Sequence, residues 1–287
     1  MMDPESIHTI GIAGAGTMGQ GIAQLCAASG YTVLLYDTSP ALAEKGKAAV
    51  VKAFEGLVQK NKLTIEQKNQ AVAKISVVEN LQNFKGELII EAIIENLPVK
   101  QEFFKTVEEV NGRSCILTTN TSSLPVTQIA SVLKNPERLA GLHFFNPAPV
   151  MKLVEVIRGA LTSDETISCL LSFSKSIQKT AVVAKDSPGF IVNRVARHYY
   201  VEALKMLEEQ VAEMKTIDAL MRTSGFKMGP FELMDLIGVD TNFAVTTSIY
   251  HAFHQDSKFR PSRIQQQKVA AGHYGRKSGK GFYDYDK

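Results

Sequence analysis

Cysteine is scarce in this sequence. Cys26, Cys115 and Cys169 are the only three among 287 residues; they are odd in number, far apart and without CxxC spacing. Such a set argues against a disulfide framework and a cysteine zinc site, and fits a reducing cytoplasm. An excess of charge is also missing, since 32 Lys+Arg stand against 29 Asp+Glu for a net charge of +3. Neither nucleic acid nor an anionic membrane is then the expected partner, and any anion site must be local. Long apolar runs are absent too. The most apolar stretch, Leu88 to Ile94, is broken by Glu91 and ended by Glu95, far short of the roughly 20 residues that span a bilayer. The first residues, Met1 to Glu5, lack the basic and apolar regions of a signal peptide, so a soluble, non-exported protein is expected. There is no internal repeat and no low-complexity segment. With 45% apolar and 21% charged residues, the composition is that of an ordinary globular chain, long enough for about two domains.

What is present is alternation. Over the first two-thirds of the chain, short apolar runs alternate with helical patterns, the signal of a parallel sheet with crossover helices. The expected strands are Thr9–Ala13, Thr32–Tyr36, Ile75–Val78, Leu88–Ile93, Ile116–Thr119, Leu139–His143, Leu153–Ile157 and Ala181–Ala184. A helix from Thr17 to Ser29 is expected after the first, with Gly19 and Ala23 four apart so that it can lie close to the sheet. Ser39-Pro40 reads as N-cap and first residue of a second helix running towards Lys60, and Thr64-Ile65-Glu66-Gln67 has the capping-box spacing that starts a third. Residues 38–74 thus hold two helices where a minimal crossover needs one, either an arm over a ligand or a structural insertion.

At Lys185-Asp186-Ser187-Pro188-Gly189 the strand pattern breaks, and from Phe190 onward the apolar spacing is helical. Val192, Val195, Ala196, Tyr199, Ala203, Met206 and Leu207 fall three or four apart, as one buried helix face requires. A domain of residues 1–186 followed by one of residues 189–287 is expected. Gly229-Pro230 would open a helix over Phe231–Ile237 and Pro261 another, so the second domain reads as all-helical. A small helical domain this apolar often buries surface against a second copy, which makes a homodimer the expectation.

Gly14-Ala15-Gly16-Thr17-Met18-Gly19 is a GxGxxG that follows an expected strand and opens an expected helix, the context in which the string carries meaning. Gly14 permits the tight turn, Gly16 lets backbone N–H groups approach a pyrophosphate, and Gly19 lets helix and strand pack closely. The helix N-terminus adds the positive end of a dipole. Asp37 ends the second strand, 18 residues beyond Gly19, where a carboxylate can accept from both adenine-ribose hydroxyls and would repel a 2′-phosphate. NAD rather than NADP is the expected cofactor. The fold class that follows is α/β, a Rossmann-type doubly wound sheet with a smaller all-α domain after it.

Further strings run along nearly the whole chain: GAGTMGQGIA (14–23), EAIIENLPVKQEFF (91–104), NTSSLPVTQIA (120–130), GLHFFNPAPVMKLVEVI (141–157), KDSPGFIVNR (185–194), GPFELMDLIGVD (229–240) and GRKSGKGFYDY (275–285). With these in order, the sequence resembles the L-3-hydroxyacyl-CoA dehydrogenase family and, within it, the stand-alone bacterial 3-hydroxybutyryl-CoA dehydrogenases. The resemblance implies that His143 is the general base that takes the proton of the 3-hydroxyl while hydride leaves C3 for the nicotinamide, a task suited to a side chain that titrates near neutral pH. It makes Glu155 the carboxylate that orients the ring. His143 and Glu155 flank Asn146-Pro147-Ala148-Pro149, so their strands can fold back and bring the two within reach.

The same resemblance makes Ser122 and Asn193 polar contacts to the substrate, with Asn193 in the first turns of the second domain, so that closure would complete the site. It puts Glu95, Lys100, Ser122, Asn146 and Lys277 near the ribose and nicotinamide of the cofactor. For an acyl-CoA thioester substrate, Lys60 aligns with a CoA-contacting lysine, with Lys52 and Lys62 near it; a serine contact of the family is replaced here by Ala53. His251 and His254 have no companion ligands, and no metal is expected.

The implied activity is reversible NAD-dependent oxidation of an L-3-hydroxyacyl-CoA, taken first as 3-hydroxybutyryl-CoA. No segment is long enough to be a fused enoyl-CoA hydratase, so one step of fatty-acid β-oxidation or butyrate metabolism is expected. Two other readings stay open at the level of sequence. Related dehydrogenases of free hydroxy acids such as gulonate share the glycine loop and the histidine–glutamate pair, and lens crystallins of this family bind NAD without a catalytic role.

Overall fold

Eight strands form a single sheet in a computed structural model that describes residues 6–285. They are β1 Thr9–Ala13, β2 Thr32–Tyr36, β3 Ile75–Val78, β4 Leu88–Glu91, β5 Ile116–Thr119, β6 Leu139–Phe144, β7 Leu153–Arg158 and β8 Thr180–Lys185. Their order is β3-β2-β1-β4-β5-β6-β7-β8, and every pairing is parallel except β6 with β7. Strands β4, β5 and β6 are buried at every position, as expected of a parallel sheet covered on both faces. The covering helices are α1 Thr17–Ala28, α2 Pro40–Gln59, α3 Ile65–Ala73, α4 Leu97–Val110, α5 Val126–Ala130 and α6 Asp164–Ser176. Ile10, Ile12, Val33, Leu35, Leu88 and Ile90 of the sheet pack with Ile22 and Cys26 of α1 and Phe54 of α2 in one core. Each such apolar side chain contributes roughly 1.5–3 kcal/mol through burial. The strand order reverses between β1 and β4, which opens a crevice at their C-terminal ends.

Local differences from the sequence reading have physical causes. Strand β4 stops at Glu91 rather than Ile93, because the Glu91 carboxylate accepts the Ile93 N–H at 2.7 Å and turns the chain out of the ladder. Ser39 stands at the N-cap position of α2, yet its hydroxyl makes no capping bond; Pro40 alone marks the start. The capping box of α3 is present in both directions, Gln67 N–H to Thr64 Oγ1 at 3.2 Å and Thr64 N–H to Gln67 Oε1 at 2.9 Å. Val50 and Phe54 of α2 and Ala71 of α3 belong to the main core, so the two helices dock on the sheet along one face. Lys52, Lys60 and Lys62 are exposed on or just beyond the other.

The chain divides into two compact units between Ser187 and Pro188. The second holds α7 Val192–Glu208, α8 Met214–Thr223, α9 Pro230–Ile237, α10 Val239–Ala252 and α11 Arg263–Ala270. Its core gathers Tyr200, Leu204, Ile217, Phe231, Met234, Val239 and Phe282. Pro261 does not open α11; Ser262 caps it, accepting the Ile264 N–H at 3.2 Å, and the helix begins at Arg263. Nor is this unit helical to its end. Beyond α11 the chain turns back on itself through single bridges Gly275↔Lys280 and Lys280↔Asp284. Buried Asp235 secures this turn by accepting from Phe282 N at 2.8 Å, Tyr283 N at 2.9 Å and Tyr285 Oη at 3.0 Å. Among the described residues no helix is long and apolar enough to cross a membrane.

Candidate active site

The glycine loop lies at the C-terminal end of β1. Gly14 has φ +95°, and a Cβ there would stand 2.4 Å from the Ala92 carbonyl oxygen, so only glycine fits. A Cβ on Gly19 would lie 1.7 Å from the Gly14 carbonyl oxygen, which is the close helix-to-loop packing the motif implies. Gly16 is different. Its backbone, φ −74° and ψ −170°, suits any residue, and no protein atom lies within 4 Å of its missing Cβ. Nothing in the chain requires a glycine there, whereas a ligand pressed against the loop would. Helix α1 begins immediately after it without a side-chain cap, so its first N–H groups are presented outward. Across the loop, Asp37 Oδ2 accepts the Ala15 N–H at 2.7 Å, and Oδ1 accepts the Thr38 N–H at 2.8 Å. The half-buried carboxylate is held beside the loop, where a ribose attached to that pyrophosphate would pass. The residues present fit a dinucleotide.

His143 and Glu155 are placed by strand register. The antiparallel pair β6–β7 sets Gly141 opposite Ile157, Leu142 opposite Val156 and His143 opposite Glu155. Both side chains are buried, and Nδ1 of the imidazole lies 2.8 Å from Glu155 Oε2. A carboxylate partner at Nδ1 fixes the tautomer with its proton on Nδ1 and its acceptor lone pair on Nε2. It also stabilises the imidazolium if Nε2 takes up a proton. The connection between the strands carries Asn146, exposed and followed by a cis bond to Pro147. Lys179 secures the connection from behind, donating to the carbonyls of Ala148 and Met151, both at 2.7 Å.

The third group sits at the ends of β4 and β5. Lys100, 1% exposed on the first turn of α4, lies 2.5 Å from Glu91 Oε1 and 3.3 Å from Glu95 Oε2. Glu91 Oε2 accepts from Thr119 Oγ1 at 2.7 Å. Glu95 Oε1 accepts from Thr121 Oγ1 at 2.6 Å and from the Ser122 N–H at 3.0 Å, so the loop that bears Ser122 is tied through Glu95 to Lys100. Burial raises the Glu91 carboxyl above its ordinary pKa despite the lysine beside it. For Glu95 burial also raises the pKa, but Lys100 and the hydrogen bonds from Thr121 and Ser122 outweigh it, and the carboxyl is held below the usual range. Asn120 Oδ1 accepts the Phe144 N–H at 2.8 Å, joining this loop to the residue after His143.

The structure brings most of the predicted residues of the first unit into three groups, namely the glycine loop with Asp37, the His143–Glu155 pair, and Ser122 with Glu95 and Lys100; Asn146, on the β6–β7 connection, and Lys60, just beyond α2, are exposed and belong to none of them. Lys100 is buried and crosslinks Glu91 and Glu95. Glu91, Thr119, Asn120 and Thr121 were not singled out from sequence. A carboxylate ending a strand as apolar as LIIE was the one available signal, because a charge buried there must have a partner. In the second unit, Asn193 lies on the first turn of α7, and Lys277 is exposed in the terminal turn with Nζ 2.7 Å from Asp240 Oδ1.

Comparison with known proteins places these groups in context. Residues 9–187 match the family model described as the 3-hydroxyacyl-CoA dehydrogenase NAD binding domain, and residues 189–285 match that of the 3-hydroxyacyl-CoA dehydrogenase C-terminal domain. The chain is similar to the 3-hydroxyadipyl-CoA dehydrogenase of Escherichia coli K12, with 47% identity over 98% of the chain, although it spans only 59% of that protein's length. It is 42% identical to a probable 3-hydroxybutyryl-CoA dehydrogenase of Bacillus subtilis, with 98% of both chains covered. Its fold is similar to the crystal structure of the (S)-3-hydroxybutyryl-CoA dehydrogenase of Ralstonia eutropha, with a TM-score of 0.93 and 42% identity over 98% of this chain and 100% of that one.

Proposed function

The chain belongs to the 3-hydroxyacyl-CoA dehydrogenase family, and on that premise we propose that it reversibly oxidises an L-3-hydroxyacyl-CoA thioester to the 3-oxoacyl-CoA with NAD. The observation that carries the alcohol oxidation is the buried His143–Glu155 pair at 2.8 Å, set in register by β6 and β7, and the match to both family domains supports the CoA thioester. NAD, when bound, supplies the hydride acceptor. Gly14, Gly16, Thr17, Met18, Gly19 and Asp37 hold it, with Glu95, Lys100, Asn146 and Lys277 as further contacts.

His143 accepts the proton of the 3-hydroxyl at Nε2 as the carbon–hydrogen bond at C3 breaks, and returns it in the reductive direction. Glu155 stabilises the imidazolium in the interval and prevents the ring from turning. Ser122 and Asn193 bind the 3-oxygen or the thioester carbonyl and so fix C3, positioning that lowers a barrier by several kcal/mol. Lys60 is proposed as a contact for the CoA phosphates. A homodimer and a cytoplasmic setting belong to the same proposal. Cys26, Cys115 and Cys169 are all buried and none is joined in a disulfide, which supports a reducing compartment.

The test is the rate of NADH consumption by the purified protein with acetoacetyl-CoA, run beside NADPH and beside free acetoacetate. Turnover that needs both NADH and the thioester supports the proposal. Oxidation of a free hydroxy acid with no activity on any CoA thioester would move the protein to the sugar-acid dehydrogenases.

A further inference from the structure

Between β5 and α5 the chain leaves the C-terminal end of the sheet as Asn120-Thr121-Ser122-Ser123-Leu124-Pro125. This loop is held at both ends. At its start, the Asn120 N–H donates to the Glu91 carbonyl at 2.8 Å and Asn120 Oδ1 accepts the Phe144 N–H at 2.8 Å, so it departs from the same frame as His143. At its end, the Asp186 carboxylate accepts the Val126 N–H at 3.0 Å and the Thr127 N–H at 2.7 Å. Thr121 organises the span between. The residue is 1% exposed, and its hydroxyl has one proton to donate and two lone pairs to accept with. It donates to Glu95 Oε1 at 2.6 Å and accepts the N–H groups of Ser123 at 3.3 Å and Leu124 at 2.9 Å. The capacity of the hydroxyl is fully used, and its bond to the carboxylate is charge-assisted. The same Glu95 oxygen accepts the Ser122 N–H at 3.0 Å, and both the N–H and the hydroxyl of Ser123 at 3.3 Å. The Ser122 hydroxyl is the exception: the residue is half-buried, and among the described residues no hydrogen bond engages that oxygen.

We propose that Thr121 is a positioning residue for the reaction: anchored on Glu95, it holds the loop so that Ser122, rather than Ser123, offers a free hydroxyl to the substrate. The inference rests on the dehydrogenase reading above, in which Ser122 binds the 3-oxygen or the thioester carbonyl. Two adjacent serines are equivalent as donors, and what separates them here is the hydrogen bonding of the residue before them. Ser123 has its N–H and its hydroxyl engaged by Thr121 and Glu95, which leaves its neighbour as the serine with an unused hydroxyl. Without the Thr121 hydroxyl, the N–H groups of Ser123 and Leu124 lose an acceptor and Glu95 loses its shortest tie to the loop. Ser122 then moves from the place where it fixes C3, and the rate falls with the geometry. Thr121 touches neither substrate nor cofactor in this role; it acts through Ser122.

The test is a double-mutant cycle on kcat/KM for acetoacetyl-CoA with NADH, run on the full-length protein, Thr121→Val, Ser122→Ala and the two combined. Valine keeps the shape of threonine and removes the bonds of its hydroxyl. Each single change should lower kcat/KM on the order of 10²-fold, because a displacement of about 1 Å is enough for such a loss. The combined variant should also fall on the order of 10²-fold, not on the order of 10⁴-fold, since Thr121 has nothing left to position once the Ser122 hydroxyl is gone. Thr121→Ser, which keeps the hydroxyl, should recover most of the rate. A merely structural role would lower activity by the same factor with or without the Ser122 hydroxyl, so losses that multiply in the combined variant would overturn the proposal. So would a native rate in Thr121→Val, or a Ser123→Ala variant as impaired as Ser122→Ala. If Thr121→Val yields no folded protein, Thr121→Ala takes its place in the cycle. These outcomes leave the dehydrogenase reading intact, whereas absence of turnover by the unmutated protein would overturn that reading and the role of Thr121 with it.

Discussion

His143 and Glu155 stand directly opposite each other across the antiparallel pair β6–β7, with Nδ1 and Oε2 2.8 Å apart. Register places them there, because a one-residue slip of β7 would turn Glu155 to the other face and set Val154 or Val156 opposite His143. The two side chains are already in contact and buried without substrate.

Loss of either member should affect the rate far more than binding. His143→Ala removes the proton acceptor and should lower kcat by about 10²–10⁴-fold. Glu155→Gln keeps the shape but offers an amide that also holds the wrong tautomer, and should lower kcat by at least about 10²-fold with little change in KM. Steady-state kinetics decide it; a Glu155→Gln enzyme that turns over at the native rate would remove the carboxylate from the mechanism.

Gly16 and Gly19 separate binding from folding. Alanine at Gly16 meets no protein atom and an ordinary backbone conformation, so stability should change by less than about 1 kcal/mol. NADH affinity should fall at least tenfold, about 1.4 kcal/mol, because the methyl group occupies the space of the pyrophosphate. Gly19→Ala drives a methyl group to 1.7 Å from a carbonyl oxygen, and should destabilise the protein by about 1–3 kcal/mol or more. Thermal denaturation and fluorescence titration with NADH on both variants check the contrast. Equal affinity in Gly16→Ala and wild type would mean that the cofactor does not approach the loop there.

Much of this was legible in the sequence, for reasons that differ between residues. The strands were found because parallel strands covered on both faces are short apolar runs, and the glycine loop because its spacing serves both a turn and a helix start. The pairing of His143 with Glu155 came from the family resemblance, and two strands joined by a proline-rich turn made it possible, but their register was not legible. Lys100 was read through the resemblance as a cofactor contact, and its burial was not legible because that depends on Glu91 and Glu95, and neither proximity nor desolvation is written in local spacing. The non-helical terminal turn escaped because Asp235, which holds it, is 47 residues away from Phe282 in the chain.

Asp37 should set cofactor choice. Its carboxylate is anchored by the Ala15 N–H at 2.7 Å, so it cannot swing away from a 2′-phosphate. Asp37→Ala should weaken NADH at least tenfold, about 1.4 kcal/mol, and narrow the gap between NADH and NADPH by relieving repulsion. Parallel titrations with the two cofactors measure that gap. Equal losses for both would show that Asp37 serves only to hold the loop.

Acid stability should depend on Glu108. This buried carboxyl accepts from Lys134 N at 2.9 Å and Asn135 N at 2.8 Å and lies 3.3 Å from Arg138 Nη2. Burial raises its pKa, but these hydrogen bonds outweigh burial and hold it below its ordinary value of 4.5. A carboxyl with a depressed folded-state pKa contributes stability that is present above the unfolded value and lost as pH falls through the folded one. Glu91 runs the other way, since burial raises its pKa and the folded state takes up its proton more readily. Glu108→Gln should therefore lower stability by about 1–3 kcal/mol at pH 7, and the difference from wild type should shrink as pH drops below 4.5, where the carboxyl of the unfolded chain becomes neutral, and be lost as pH falls through the lower folded-state value. Urea denaturation of both proteins at pH 7 and again well below pH 4.5 measures it. A difference that stays constant across that range would mean that Glu108 acts through shape rather than charge.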